Sequence, residues 1–291
     1  MNLNNKYLTY SAALFVIFIW SITFVSTKIL LRYLSPTEIL IYRYVIAYLV
    51  FVAADPRFIK PRCLREEGLF ALAGLLGVTL YFLCENFALA YSTASNVALL
   101  VSAAPMLTGV AAHLMTKNEK MTKNFVWGCI FGLTGVFMLV FNGRFVLKLN
   151  PLGDILAILA ALSFALYSIV IRDINKSYPL AVITRKSFFY SLIFLAPMLF
   201  TPAFRFKPDV LMRSDVMANL IFLGVMASSV CFLLWNKVIW ALGAVRANNL
   251  MYLSPPLAII AAAVVLREQI TLFYIIGGVF VLLGVYIAQR Q

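Results

Sequence analysis

Ten apolar segments, each close to twenty residues long, run through the chain with only short polar breaks between them. Their approximate limits are 9–31, 36–54, 68–89, 93–115, 124–142, 152–171, 180–200, 216–241, 245–266 and 271–289. A helix crossing the hydrocarbon core of a bilayer needs about 20 residues. Inside that core every backbone N–H and C=O must be satisfied by the protein, so only helices and closed barrels span it. Barrel strands are about 10 residues of alternating polarity, and these segments are too long and too continuously apolar for that. The pattern predicts an all-α integral membrane protein with ten transmembrane helices.

Composition agrees. The chain is 63% hydrophobic and 12% charged, against about 45–50% and about 25% in soluble domains. A water-facing surface cannot absorb that excess, so a cytoplasmic enzyme and a disordered protein are both excluded. Ten spans leave about 80 of the 291 residues for tails and loops, which is no room for a soluble domain. The net charge of +13 comes from Lys and Arg in short loops, where it reads as topology rather than nucleic-acid binding. The expected partners are membrane lipid and a small-molecule substrate, with no nucleic acid. Lys6 precedes an apolar run too long for a signal-peptide core, and no A-x-A site ends it, so that run reads as the first span.

Lys and Arg concentrate in alternate loops. Arg57, Lys60, Arg62, Arg65, Lys117, Lys120, Lys123, Arg172, Lys176, Lys6, Arg246 and Arg290 fall on the side of the N-terminus, and fewer fall opposite. The positive-inside rule then places both termini in the cytoplasm of a multi-pass cell-membrane protein.

An internal repeat fixes the architecture further. At an offset of 150, Phe82, Leu83, Asn86, Ala94, Leu100, Pro105, Leu107, Ala111 and Ala112 meet Phe232, Leu233, Asn236, Ala244, Leu250, Pro255, Leu257, Ala261 and Ala262. At 149, Glu119, Thr122, Gly128, Phe131, Leu133, Gly135 and Val136 meet Glu268, Thr271, Gly277, Phe280, Leu282, Gly284 and Val285. Apolar composition alone would not align a proline, an asparagine, a loop glutamate and two glycines in one register. The unit holds five spans, an odd number, so residues 1–146 and 147–291 are expected to lie in the membrane with opposite orientation. Inverted repeats are the architecture of many secondary transporters, with the binding site near the midplane.

The stretch from Asn86 to Leu100, then Pro105-Met-Leu-Thr, Glu119 and the Gly128/Gly135 helix resembles the repeat of the EamA-type drug/metabolite transporters. The second half matches with Pro255, Glu268, Gly277 and Gly284, so the resemblance covers essentially the whole chain. It implies ten spans in two inverted five-helix repeats. It also implies movement of small metabolites, often export of amino acids or their derivatives.

Glu85 is the sharpest site candidate. It stands in the third span, in Tyr81-Phe-Leu-Cys-Glu-Asn, where a carboxylate costs at least about 2.5–3.5 kcal/mol unless it meets a cavity or a partner. It reads either as a proton- or substrate-charge group or as a structural partner of Arg43 or Lys237. Arg43, in the second span, reads as an anion contact or as a side chain snorkelling to the headgroups, with Arg185-Lys186 as its counterpart in the seventh span. Asn86 and Asn236 are matched amides, either helix glue or lining. Trp20 and Ser21 in the first span correspond to Tyr167 and Ser168 in the sixth. With Tyr81, Trp235 and Tyr252 they are lining candidates able to stack on a planar or cationic solute. Pro105 and the pair Pro255-Pro256 are expected to kink matched helices as gates. The small faces Gly128/Gly132/Gly135 and Gly277/Gly284 are expected to pack helices closely, within the bundle or between monomers of a homodimer.

No catalytic role is assigned. His113 is the single histidine, there is no HExxH, no CxxC pair and no Walker motif, so no metal, cofactor or ATP drive is expected. The expected function is secondary transport of a small metabolite by alternating access, as an exporter with proton coupling through Glu85. The alternatives are a membrane-embedded enzyme acting on a lipid-like substrate and a non-transporting receptor or scaffold.

Overall fold

A computed structural model describes residues 6–56, 63–92, 94–116, 121–141, 150–174, 178–202, 204–257 and 272–290. The described residues are helical and contain no strand. Six helices are long and apolar enough to cross a membrane: α1 (Lys6–Leu30), α2 (Pro36–Ala54), α3 (Leu64–Tyr91), α7 (Pro151–Ile174), α8 (Leu180–Phe200) and α9 (Ser214–Leu242). Between and after them come α4 (Ala94–Val101), α5 (Ala104–Met115), α6 (Lys123–Phe141), α10 (Ala244–Asn249) and α11 (Leu272–Gln289). The ninth apolar segment is described only to residue 257, so Glu268 and most of that segment lie outside the described residues, as does Glu119.

Large apolar side chains cover the outside as well as the core. Leu14, Phe18, Ile130, Phe137, Ile155, Leu162, Val279 and Leu282 are all exposed. That distribution suits hydrocarbon, not water, and the chain is a multi-pass membrane protein.

Packing follows an exchange between the two halves. Helix α1 lies on α9 and α7 on α3; α2 lies on α9 and α3 on α8; α2 meets α8, α5 meets α10, and α6 meets α11. The α6–α11 contact is the most intimate. A Cβ on Gly284 would stand 2.5 Å from Gly132 N and 2.7 Å from Gly128 O, and one on Gly135 would stand 2.6 Å from Gly277 O. The two glycine faces therefore press on each other inside one chain, backbone against backbone.

Local chemistry explains where helices begin. Ser35 caps α2: its Oγ accepts the Glu38 N–H at 3.1 Å, and its own N–H donates to Glu38 Oε2 at 2.7 Å, with Pro36 in the first turn. Glu38, fully buried, also accepts the Arg205 N–H at 2.9 Å, which ties the connection after α8 to α2. Pro105 does not kink a continuous helix. The fourth segment breaks at residues 102–103, and Pro105 sits in the first turn of α5, where its missing N–H costs nothing. Pro255 and Pro256 follow a tight 3₁₀ turn, Leu250–Leu253, within helical residues 254–257.

The first and last described helices meet. Tyr10 Oη donates to Gln289 Oε1 at 3.3 Å, Gln289 Nε2 to the Arg246 carbonyl at 3.0 Å, and Asn124 Nδ2 to the Arg290 carbonyl at 2.6 Å. Both described ends thus share one end of the bundle.

Helices α3 and α9 each widen into a π turn, at Leu75–Leu80 and Phe222–Val230. The sequence repeat places Gly74 and Thr79 on Gly224 and Ser229. Thr79 Oγ1 donates to the Gly74 carbonyl at 3.2 Å, and Ser229 Oγ to the Gly224 carbonyl at 2.8 Å. The hydroxyls serve the carbonyls that a widened turn loosens. Ser229→Ala should lower stability by about 1 kcal/mol, read as a lower melting temperature in detergent. An unchanged melting temperature would show that the hydroxyl contributes nothing to the turn.

Candidate functional site

The π turns face the interior, and donors from neighbouring helices reach their carbonyls. Trp20 Nε1 in α1 donates to Ala227 O at 3.1 Å, Ser163 Oγ in α7 to Leu76 O at 2.7 Å, and Tyr44 Oη in α2 to Val78 O at 3.1 Å. One turn further along stand Phe82 and Phe232, matched by the repeat. Phe82 packs on Tyr44 (5.9 Å between centroids) and Tyr81 (4.6 Å); Phe232 packs on Phe188 (5.3 Å), Trp20 (5.5 Å) and Tyr167 (6.2 Å); and the two touch at 6.0 Å. Trp235 joins at 5.3 Å from Trp20. Six helices thus converge on one buried aromatic group, its rings in edge-to-face or tilted contact.

Arg43 stands in that group, 1% exposed. Its Nε donates to Ser228 Oγ at 2.9 Å, and its guanidinium lies over Phe82, 4.3 Å from the centroid, and beside Tyr44 at 5.4 Å. α2 points it inward onto α9, and at that burial it has no open path along which to snorkel. Its counterpart is also not Arg185-Lys186. A Cβ on Gly224 would meet Ile46 and the Arg43 carbonyl, and one on Gly74 would meet Tyr190 and the Ser187 carbonyl. The second helices therefore correspond at an offset of 144, Arg43 to Ser187 and Tyr44 to Phe188. Arg185 instead donates to the Asp55 carbonyl. Lys186 pairs with Glu67 at 2.6 Å, with Tyr190 donating to the same carboxylate and Tyr178 to Glu66. Those contacts strap α8 to the start of α3, outside the aromatic group.

Glu85 is buried, 6% exposed, and accepts one long bond from Tyr81 Oη at 3.4 Å. It lies within electrostatic reach of Arg43. Among the described residues, however, neither Arg43 nor Lys237 comes within 4.0 Å of it as an ion pair. The structural-partner reading in its simple form does not hold: the two charges are near each other and separate.

The remaining candidates divide. Tyr167 Oη donates to Asn236 Oδ1 at 2.7 Å and Asn236 Nδ2 to Thr184 Oγ1 at 2.9 Å, so Asn236 ties α9 to α7 and α8. Asn86 Nδ2 reaches the Pro36 carbonyl at 3.5 Å. Ser21 Oγ bridges to Ser254 at 2.9 Å, and Ser168 accepts from Asn248 Nδ2 at 2.9 Å. These serve as interhelical glue. Tyr252 is buried on another wall, its ring along Gly132 of α6 and its hydroxyl beside Cys129. Tyr44, Phe188, Ser228 and Phe164, the last 6.1 Å from Trp20, also belong to this group and carry no mark in the sequence that sets them apart. The first two, Tyr44 and Phe188, align only once the second helices are set at 144.

Comparison with known proteins finds relatives along most of the chain. The model of the EamA-like transporter family matches residues 8–141 and again 151–289. An uncharacterized transporter of Archaeoglobus fulgidus is 27% identical over 278 residues, covering 94% of each chain. One of Bacillus subtilis is also 27% identical, covering 95% of this chain and 91% of its own. A protein of Streptantibioticus cattleyicolor named a probable terminal-alkyne amino-acid exporter is 22% identical, covering 82% and 79%. A solved crystal structure superposes with a TM-score of 0.79 over 98% of this chain and 97% of the other, at 17% identity, which speaks to the fold alone.

Proposed function

Since the chain belongs to the EamA-like transporter family, we propose that it is a secondary transporter. It moves a small metabolite, an amino acid or a derivative of one, out across the cell membrane by alternating access. Residues 1–146 and 147–291 are then two inverted five-helix halves rocking about the aromatic interior. Two findings support the halves: the family model matches twice, and the packing of α1 on α9 and of α2 on α9 has its exchanged counterpart in α7 on α3 and α8 on α3. The basic loops put both termini on the cytoplasmic side. The contact of α6 with α11 within the chain leaves those glycine faces unavailable to a homodimer.

The observation that carries the reading is Arg43 with Glu85, opposite charges held apart at the meeting point of the two halves. Ionisable groups at such depth mark substrate or proton pathways. A proton arriving from one side and a cationic group leaving from the other compete for Glu85, which couples export to proton entry. The relative named as an amino-acid exporter favours that substrate class.

The test is flux in proteoliposomes loaded with a pool of labelled amino acids and derivatives. Export that responds to an imposed proton gradient is expected. Flux that ignores the gradient removes the coupling, and no flux of any solute removes the transport reading.

A further inference from the structure

We propose that the outward face of α1, beside the start of α9, holds a phospholipid of net negative charge, its phosphate on Lys28 and Arg32 and an acyl chain along the apolar stripe below them. The surface faces lipid, so its occupancy does not depend on what the interior carries.

The stripe follows from helix geometry. At 3.6 residues per turn, Leu14, Phe18, Val25, Lys28 and Arg32 fall within about 80° of one another around the axis. All five are exposed. Arg32 lies just past the last turn of α1, but its N–H still bonds the Ile29 carbonyl at 3.3 Å, so the chain keeps winding that far. Lys28 stands 18 residues from Tyr10, about 27 Å along the helix, and Tyr10 marks the opposite end of the bundle, where it meets Gln289. The hydrocarbon core is about 30 Å thick, so the two cations stand at its boundary. One leaflet, about 15 Å, reaches from Lys28 to Phe18. The face is apolar over that depth and cationic at its edge, which is the profile of an acyl chain ending in a phosphate.

The protein itself does not satisfy these cations. Among the described residues the side chains of Lys28 and Arg32 make no hydrogen bond and no ion pair. Their neighbours are engaged. Lys207 Nζ donates to the Tyr33 carbonyl at 3.3 Å and reaches Glu38 at 3.5 Å; Arg213 pairs with Asp215 at 3.1 Å and lies over the Tyr33 ring at 4.5 Å. Around this end Lys28, Arg32, Arg205, Lys207 and Arg213 stand against Glu38, Asp209 and Asp215, five positive charges to three negative, which leaves an excess of two. The basic loops that read as topology are at the other end, so insertion does not account for that excess. Residues four apart on a helix are neighbours, so Lys28 and Arg32 can close on one phosphate, for which a guanidinium is well shaped.

Helix α9 supplies a second wall. Ser26 Oγ donates to Asn219 Oδ1 at 2.6 Å and Arg213 Nη2 to Tyr33 Oη at 3.1 Å, so the start of α9 runs beside the end of α1. Met217 and Ile221 are exposed along it. Phe200, Phe206 and Met212, on the segment that leads into α9, are also exposed. Large apolar side chains around two open cations suit a bilayer boundary and not water, which favours a lipid over a free anion.

The purified full chain in a neutral detergent is melted with added dioleoylphosphatidylglycerol, dioleoylphosphatidylcholine, glycerol 3-phosphate or inorganic phosphate. Phosphatidylglycerol should raise the melting temperature at concentrations roughly tenfold or more below those phosphatidylcholine needs. That advantage should shrink as salt is raised from about 0.1 M to about 1 M. The two soluble phosphates should do nothing. The double variant Lys28→Gln/Arg32→Gln should melt like the parent without lipid, because both side chains are exposed, and should respond equally to the two lipids. The control Lys6→Gln/Lys123→Gln, at the other end, should keep the preference. Equal response of the parent to the two lipids overturns the proposal without any variant having to fold. A preference that survives in the double variant, or is lost in the control as well, overturns the placement. Stabilisation by either soluble phosphate replaces the lipid with a free anion and overturns it too.

Discussion

Glu85→Gln is expected to cut flux of the proposed cargo by roughly ten- to a hundredfold, the loss of one charge-assisted hydrogen bond. The protein should still fold. Glutamine keeps the volume and can still accept from Tyr81 Oη. Among the described residues the carboxylate makes no ion pair whose loss would strand Arg43. Flux and its dependence on the pH gradient, measured in proteoliposomes at matched protein content, separate the roles. If Glu85 takes the proton, the gradient drives the parent and not the variant. A variant that keeps both flux and gradient response would falsify any role for Glu85 in the cycle.

Gly284→Leu should be the most damaging substitution for assembly. Its Cβ would stand 2.5 Å from the backbone nitrogen of Gly132, and backbone cannot swing aside as a side chain can. Helices α6 and α11 must then separate along their whole contact, at a cost of about 1–3 kcal/mol or more. Gly278→Leu on the same helix is the control. Among the described residues, no atom outside its own stretch of helix lies within 4 Å of its Cβ position, so it should change stability by no more than about 0.5 kcal/mol. Thermal melting of the two purified variants decides the matter. Equal melting temperatures would mean that the glycine contact does not hold the helices.

Much of the fold was legible in the sequence for a plain reason. Hydropathy is additive along a segment, and a bilayer demands about 20 apolar residues per crossing whatever lies beside them. The offset of 150 was visible because Phe82, Asn86 and Pro105 recur in register with Phe232, Asn236 and Pro255. Glu85 and Arg43 stood out because charge is rare in such segments. The same rarity misled about Arg43, whose depth along its helix says how far it is from a headgroup but not which way it points. Arg185 and Lys186 looked like its counterpart only because they were the nearest charges.

The sequence by itself determined the membrane class and carries an internal repeat, both of which follow from local composition and spacing. Only the tertiary structure decided that the second helices align at 144, that Arg43 turns inward onto Phe82 and Ser228, and that the glycine faces meet each other within one chain. A span that is apolar all round has no hydropathy contrast to say which face is buried. That face is set by the shapes of neighbouring helices: here by Gly74 and Gly224, whose missing side chains let α8 and α2 approach, and by the π turns beside them.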